Sequence, residues 1–103
     1  MSAPQPAVAP VRPVQNPLAA WREIEGVVVI ISPEDSVLHE LNPTASFIWK
    51  HSTGERTAEE IARLLAEEFE VDFPTAVADT CELLQELQRR NLLQITAAEV
   101  RHG

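Results

Sequence analysis

The sequence predicts an α+β fold in which a three-stranded antiparallel sheet is followed by three helices. Three observations carry this. Residues 19–41 alternate in polarity or run in β-branched residues between turn signals. Two helix-start signals, Asn42-Pro43 and Thr57-Ala58-Glu59-Glu60, come next. Beyond them, apolar residues recur at spacings of three and four as far as about Arg90.

Residues 1–18 carry five of the eight prolines and a single charge, Arg12. Proline removes backbone donors and blocks helix, so this segment is expected to be a flexible, proline-rich arm. The folded domain is expected over residues 19–95. Its first strand holds Trp21, Glu23 and Glu25 in alternation with Arg22 and Ile24, and Glu25-Gly26 marks a turn. Val27–Ile31 is a β-branched run suited to a buried strand. Ser32-Pro33-Glu34-Asp35-Ser36 is a second turn, and Val37–Leu41 is the third strand. Tight turns between successive strands make an antiparallel meander.

The first helix follows without a gap. Asn42 is a good N-cap, and Pro43 fits the first helical position, where its missing N–H is not needed. Ala45, Ile48 and Trp49 give it an apolar side, and it should end near His51–Gly54, with glycine as the stop. Thr57 and Glu60 form a capping box, with Ile61, Leu64, Leu65 and Phe69 at core-facing spacing behind it. Asp72-Phe73-Pro74 starts the third helix, which runs to about Arg90. Arg89 and Arg90 suit its negative end. Asn91 is the expected stop. Leu92–Ile95 reads as a short extended segment, and residues 96–103 as a frayed tail.

The 103 residues suffice for one domain with one modest core. No apolar run approaches the ~20 residues of a membrane helix, and MSAPQPAVAP lacks the regions of a secretory signal. A cytoplasmic protein is expected, which agrees with a lone cysteine, Cys81. Formal net charge is −8, and between Glu59 and Glu86 nine acids face one base, Arg63. Such a surface repels phosphate backbones and acidic membranes, so neither nucleic acid nor membrane is an expected partner.

The residues offer little for catalysis. His39 lies on a strand between Leu38 and Glu40, where a surface role is the plain reading. His51 sits at a helix end, which favours a cation. No two histidines, and no Cys–His pair, have metal-ligand spacing. Cys81 falls on the apolar side of the third helix and reads as a buried, inert thiol. The three glycines are isolated and form no phosphate loop. No enzymatic activity and no cofactor are expected. The second and third helices resemble a helix-turn-helix, but Asp79 and Glu82 would meet the phosphates.

What remains is a surface for a peptide. On the third helix Ala76, Val77, Thr80, Cys81, Leu83, Leu84 and Leu87 fall within about 160°, more than the ~100° a small sheet must cover. Val77, Cys81 and Leu84 are expected in the core, and Leu83 and Leu87 are expected to lean out beside the sheet. The alternative is that the whole arc is core. Val37–Leu41 has no proline or lysine to blunt an open edge. An open edge beside an apolar helix flank suits strand addition, in which main-chain bonds hold an incoming strand and pockets read its alternate side chains.

The pattern Trp21…Gly26-Val27-Val28-Val29, Leu41-Asn42-Pro43-Thr44-Ala45…Ile48-Trp49, Gly54-Glu55-Arg56-Thr57…Glu60-Ile61 and Leu84…Leu87…Asn91-Leu92-Leu93 resembles the PqqD family over roughly residues 19–95. These are relatives of pyrroloquinoline quinone (PQQ) synthesis protein D, also called RiPP recognition elements. The proline-rich arm lies outside the shared pattern. The resemblance implies a winged helix-turn-helix-like fold with no catalysis of its own. It implies a peptide chaperone that binds the leader segment of a precursor peptide as an added strand. The chaperone would present it to a radical SAM or other modifying enzyme, in PQQ or other RiPP biosynthesis. Carried onto this chain, the groove has Val37, Leu38, His39, Glu40 and Leu41 on one wall. Thr80, Leu83, Leu87 and Arg90 form the other. Two alternatives stay open: a small adaptor or homodimer that uses the same edge, and an acidic winged-helix DNA binder.

Overall fold

The computed structural model describes residues 11–97. In chain order the elements are β1 (Val11–Gln15), β2 (Ala20–Ile24), β3 (Val27–Ile31), β4 (Leu38–Glu40), α1 (Pro43–Lys50), α2 (Ala58–Phe69), α3 (Phe73–Arg89) and β5 (Leu93–Ala97). The α+β class and the three helices are as the sequence predicts. The strands form two sheets where one was expected: a three-stranded sheet in the order β2-β3-β4, and a two-stranded sheet of β1 with β5.

The second sheet corrects the boundary of the arm. Val11–Gln15 pairs antiparallel with β5 along its whole length, Pro13 opposite Ile95. Proline is tolerated because it sits where no ladder bond is lost. Its carbonyl accepts the N–H of Gly54 at 2.9 Å, so its backbone faces away from β5. Asn16 then fastens the strand end. Its side chain donates to the Asn91 carbonyl and accepts from the Leu18 N–H. Ala19 is already in the core. Thr96 and Ala97, expected as tail, belong to β5. Residues 1–10 of the expected arm and 98–103 of the tail lie outside the described residues.

The first sheet follows local signals. Glu25 and Gly26 both have positive φ, as the tight hairpin between β2 and β3 requires. Val28 and Ile30 are fully buried and face the helices, while Val27, Val29 and Ile31 face the other way. β4 is shorter than the expected strand, because Val37 lies in the turn, where its N–H donates to Asp35 Oδ1.

All three helices start where their caps predict. Asn42 accepts from the Ala45 N–H at 2.8 Å, Thr57 and Glu60 complete the capping box, and Asp72 caps α3. The Thr75 hydroxyl donates to Asp72 and holds that carboxyl below its usual range. α1 ends at His51, so Gly54 is not its stop. With φ at +92°, Gly54 instead lets the chain pass close to β1. A side chain there would meet Val14 at 3.0 Å. His51 stacks on Phe47, and partial burial lowers its pKa, aided by Arg56 and Lys50. The expected helix-end cation is thus disfavoured.

The core is built from Ile48 and Trp49 of α1, Ile61 and Leu65 of α2, Leu84 and Leu87 of α3, and Val28 and Ile30 of β3. One buried group ties the sheet to this core. Ser46 Oγ accepts the Val28 N–H at 2.8 Å and donates to the Leu41 carbonyl at 3.2 Å. Ser46→Ala leaves the Val28 N–H buried without a partner. It should cost about 1–3 kcal/mol in denaturant unfolding, more than an exposed serine would.

Candidate functional site

The site is an edge and a helix flank held face to face. β4 is the outer strand of its sheet and pairs only with β3, Leu38 opposite Ile31, His39 opposite Ile30 and Glu40 opposite Val29. The Leu41 N–H bonds Val28, and the Val37 carbonyl bonds Ser32. Alternate residues of a strand turn their backbone groups to the same side. Leu38 and Glu40 therefore turn theirs to the open edge. The same alternation sends the Leu38 and Glu40 side chains to the outer face and the His39 side chain toward the helices.

That edge runs beside the second half of α3. Leu38, His39, Glu40 and Leu41 line a concavity of about 350 Å³ with Leu83, Glu86, Leu87, Arg90 and Leu92. Seven of the sequence-predicted residues are thus brought together. The other two are not. Val37 is in the turn, and Thr80 is wholly buried, its hydroxyl without a hydrogen-bond partner among the described residues. The wheel also misplaces Leu87. It is only 2% exposed and belongs to the core, its backbone carbonyl accepting the Leu92 N–H. Leu83 is the half-buried leucine at the flank.

Arg90 spans the mouth of the concavity. Its Nη1 lies 3.3 Å from His39 Nδ1, and its Nε donates to Glu86. Arg89 donates to the same carboxylate. Arg89 first, then Arg90, hold Glu86 below its usual range. Sequence reasoning missed Glu86, although its spacing of four from Arg90 is an ion-pair signal. It also missed Leu92, which follows the helix stop and has no periodicity to reveal it. A second concavity of about 390 Å³ adjoins the first through Leu83 and Glu86, and Asn42, Thr44, Asp79 and Glu82 also line it. The flank of α3 is therefore acidic along most of its length. Cys81 is half-buried, and burial pushes its thiol up, away from reactivity. Among the described residues, no three His, Cys, Asp or Glu side chains are grouped as metal ligands. No described helix is long and apolar enough to cross a membrane.

The profile of the family described as Coenzyme PQQ synthesis protein D matches residues 28–93, from the first buried residue of β3 to the start of β5. The chain belongs to the PqqD family. No curated protein matches the chain significantly.

Three solved structures share the PqqD-like fold. "TbiB1 in Complex with the TbiA(beta) Leader Peptide" is 23% identical, with a TM-score of 0.72, over 85% of this chain and 99% of the other. "Lasso peptide synthetase B1 complexed with the leader peptide" is 21% identical, with a TM-score of 0.70, over 84% and 99%. The PqqD truncation of Methylobacterium extorquens PqqCD, described as a stand-alone RiPP recognition element, is 24% identical. Its TM-score is 0.66 over 80% and 87%.

Leu87→Asp forces a carboxylate into the core and should cost at least about 3 kcal/mol, whereas Leu83→Asp should cost about 1 kcal/mol, both read by denaturant unfolding. Acid titration followed by carboxyl-carbon NMR should place the Glu86 midpoint below the ordinary glutamate range. Arg89→Gln should raise it more than Arg90→Gln. The contribution of ionised Glu86 to folding is present above the unfolded carboxylate range and is lost as pH falls through the lowered folded value.

Proposed function

We propose that this PqqD-family chain is a non-catalytic peptide chaperone. It binds the leader segment of a precursor peptide as a strand added to β4 and presents it to a modifying enzyme. The observation that carries this reading is the unpaired edge of Leu38–Glu40 opening onto a concavity shared with α3. An incoming strand finds the backbone groups of Leu38 and Glu40 already aligned. Half of its side chains would then enter between His39, Leu83 and Arg90. Two of the solved relatives were determined with leader peptides, which supports the same role here.

The enzyme is of radical SAM or another modifying type, and the pathway is PQQ or another RiPP biosynthesis in the cytoplasm. Asp79, Glu82 and Glu86 along the flank favour a leader with basic side chains beside its apolar ones. The three helices behind the sheet fit a winged helix-turn-helix-like description. The same acids stand where such a fold would need bases to hold DNA.

The test is a titration with a synthetic leader peptide from a RiPP precursor. Amide shifts should gather on Leu38–Leu41 and on Leu83–Arg90, and shifts confined to α2 or to the β1–β5 sheet would sink the reading. Glu40→Pro removes an edge donor but no ladder bond to β3. It should weaken leader binding about tenfold with little change in melting temperature.

A further inference from the structure

The outer face of the β2-β3-β4 sheet is apolar where a one-sided antiparallel sheet is ordinarily polar. Its register places Ala20, Arg22 and Ile24 of β2 opposite Ile31, Val29 and Val27, with Leu38 and Glu40 beside them. No described element packs on this side. Ile24 is 52% exposed, Ile31 42% and Leu38 61%. With Val29 they line a shallow depression of about 330 Å³. Glu25 and Asp35, in the turns next to Ile24 and Leu38, and Glu40, opposite Val29, are exposed, and Arg22 is the one base that lines the depression. An apolar centre inside a charged rim is the anatomy of a protein docking surface.

We infer that this face, centred on Ile24, Val29, Ile31 and Leu38, docks the enzyme that receives the peptide. The enzyme would meet it with an apolar patch ringed by Lys or Arg. The inference rests on the peptide-carrying reading above. Charge selects the occupant. A second copy would set an acidic rim against an acidic rim, and −8 against −8, whereas a basic rim is complementary. Position supplies the rest. Leu38 belongs both to this face and to the edge that takes the added strand. A strand paired with β4 extends the face, its alternate side chains falling beside Leu38. An enzyme seated there touches the carrier and half of the peptide at once, so peptide and enzyme each strengthen the other's binding.

The test uses the full chain with methyl and amide NMR and two probes, a short amphipathic peptide of Leu and Lys and its Leu and Glu counterpart. The Leu/Lys probe should shift Ile24, Val29, Ile31 and Leu38, and the Leu/Glu probe should not. The double variant Ile24→Ser with Ile31→Ser should keep its melting temperature and lose at least about tenfold in affinity for the Leu/Lys probe. Shifts spread over the acidic surface of α2 and α3, or an unaffected double variant, would overturn the inference. So would self-association of the free chain that the double variant abolishes, which assigns the face to a second copy. Contacts between Val8 and the Ile31 methyl would assign it to the chain's own N-terminal residues. The leader reading is scored elsewhere, at His39 and Leu83. Loss of leader shifts there with an intact Leu/Lys response counts against that reading, and the reverse pattern against this one.

Discussion

A hydroxyl at the centre of the molecule decides where its open edge stands. Ser46 lies on the first turn of α1, reaches across to the Val28 N–H and returns a hydrogen bond to Leu41. The Leu41 N–H meanwhile bonds the Val28 carbonyl at 2.9 Å. Both backbone groups that Val28 turns toward β4 are thus taken by the strand-to-helix junction. β4 can be only three residues long because the junction, and not a longer ladder, fixes it to β3. Asn42 as cap and Pro43 as first helical residue allow the helix to begin at once, so that Ser46 arrives within reach.

Once β4 is pinned there, α3 defines the other wall. Leu84 and Leu87 anchor it in the core, and their burial turns Leu83, Glu86 and Arg90 toward the edge. The Arg90–His39 contact then links helix to strand across the opening. The site offers backbone groups at an edge, a leucine flank and acids. Glu86 and Arg90 at the site are paired with each other. The outer face of the same sheet shares Leu38 with the edge, so two surfaces of different character meet at one residue.

The β1–β5 sheet shows why composition misleads. A segment rich in proline loses donors, and on average that prevents a strand. Here Pro13 falls at the position whose backbone faces Gly54, so the loss costs no ladder bond. That alignment depends on which residue of β5 stands opposite, and nothing local to Val11–Gln15 carries it. A local reading makes Gly54 a helix stop for the same reason. Its positive φ serves a close pass to β1 that a local reading does not contain.

The sequence by itself determined the local events. Caps at Asn42, Thr57 and Asp72 satisfy free N–H groups within three residues of themselves, and Glu25-Gly26 closes its hairpin through its own backbone angles. The family pattern includes Gly26, Asn42 and Thr57 among those residues, and the apolar arc with the unblunted strand already pointed to an open edge beside the third helix. Tertiary structure decided the rest. It chose which edge of the apolar arc on α3 is buried, taking Leu87 and Thr80 into the core and leaving Leu83 at the flank. It also joined the two ends of the described chain into a second sheet. A helical wheel gives the width of an apolar face but not its orientation, and a strand gives its alternation but not its partner. Both are fixed only when distant segments compete for the same core.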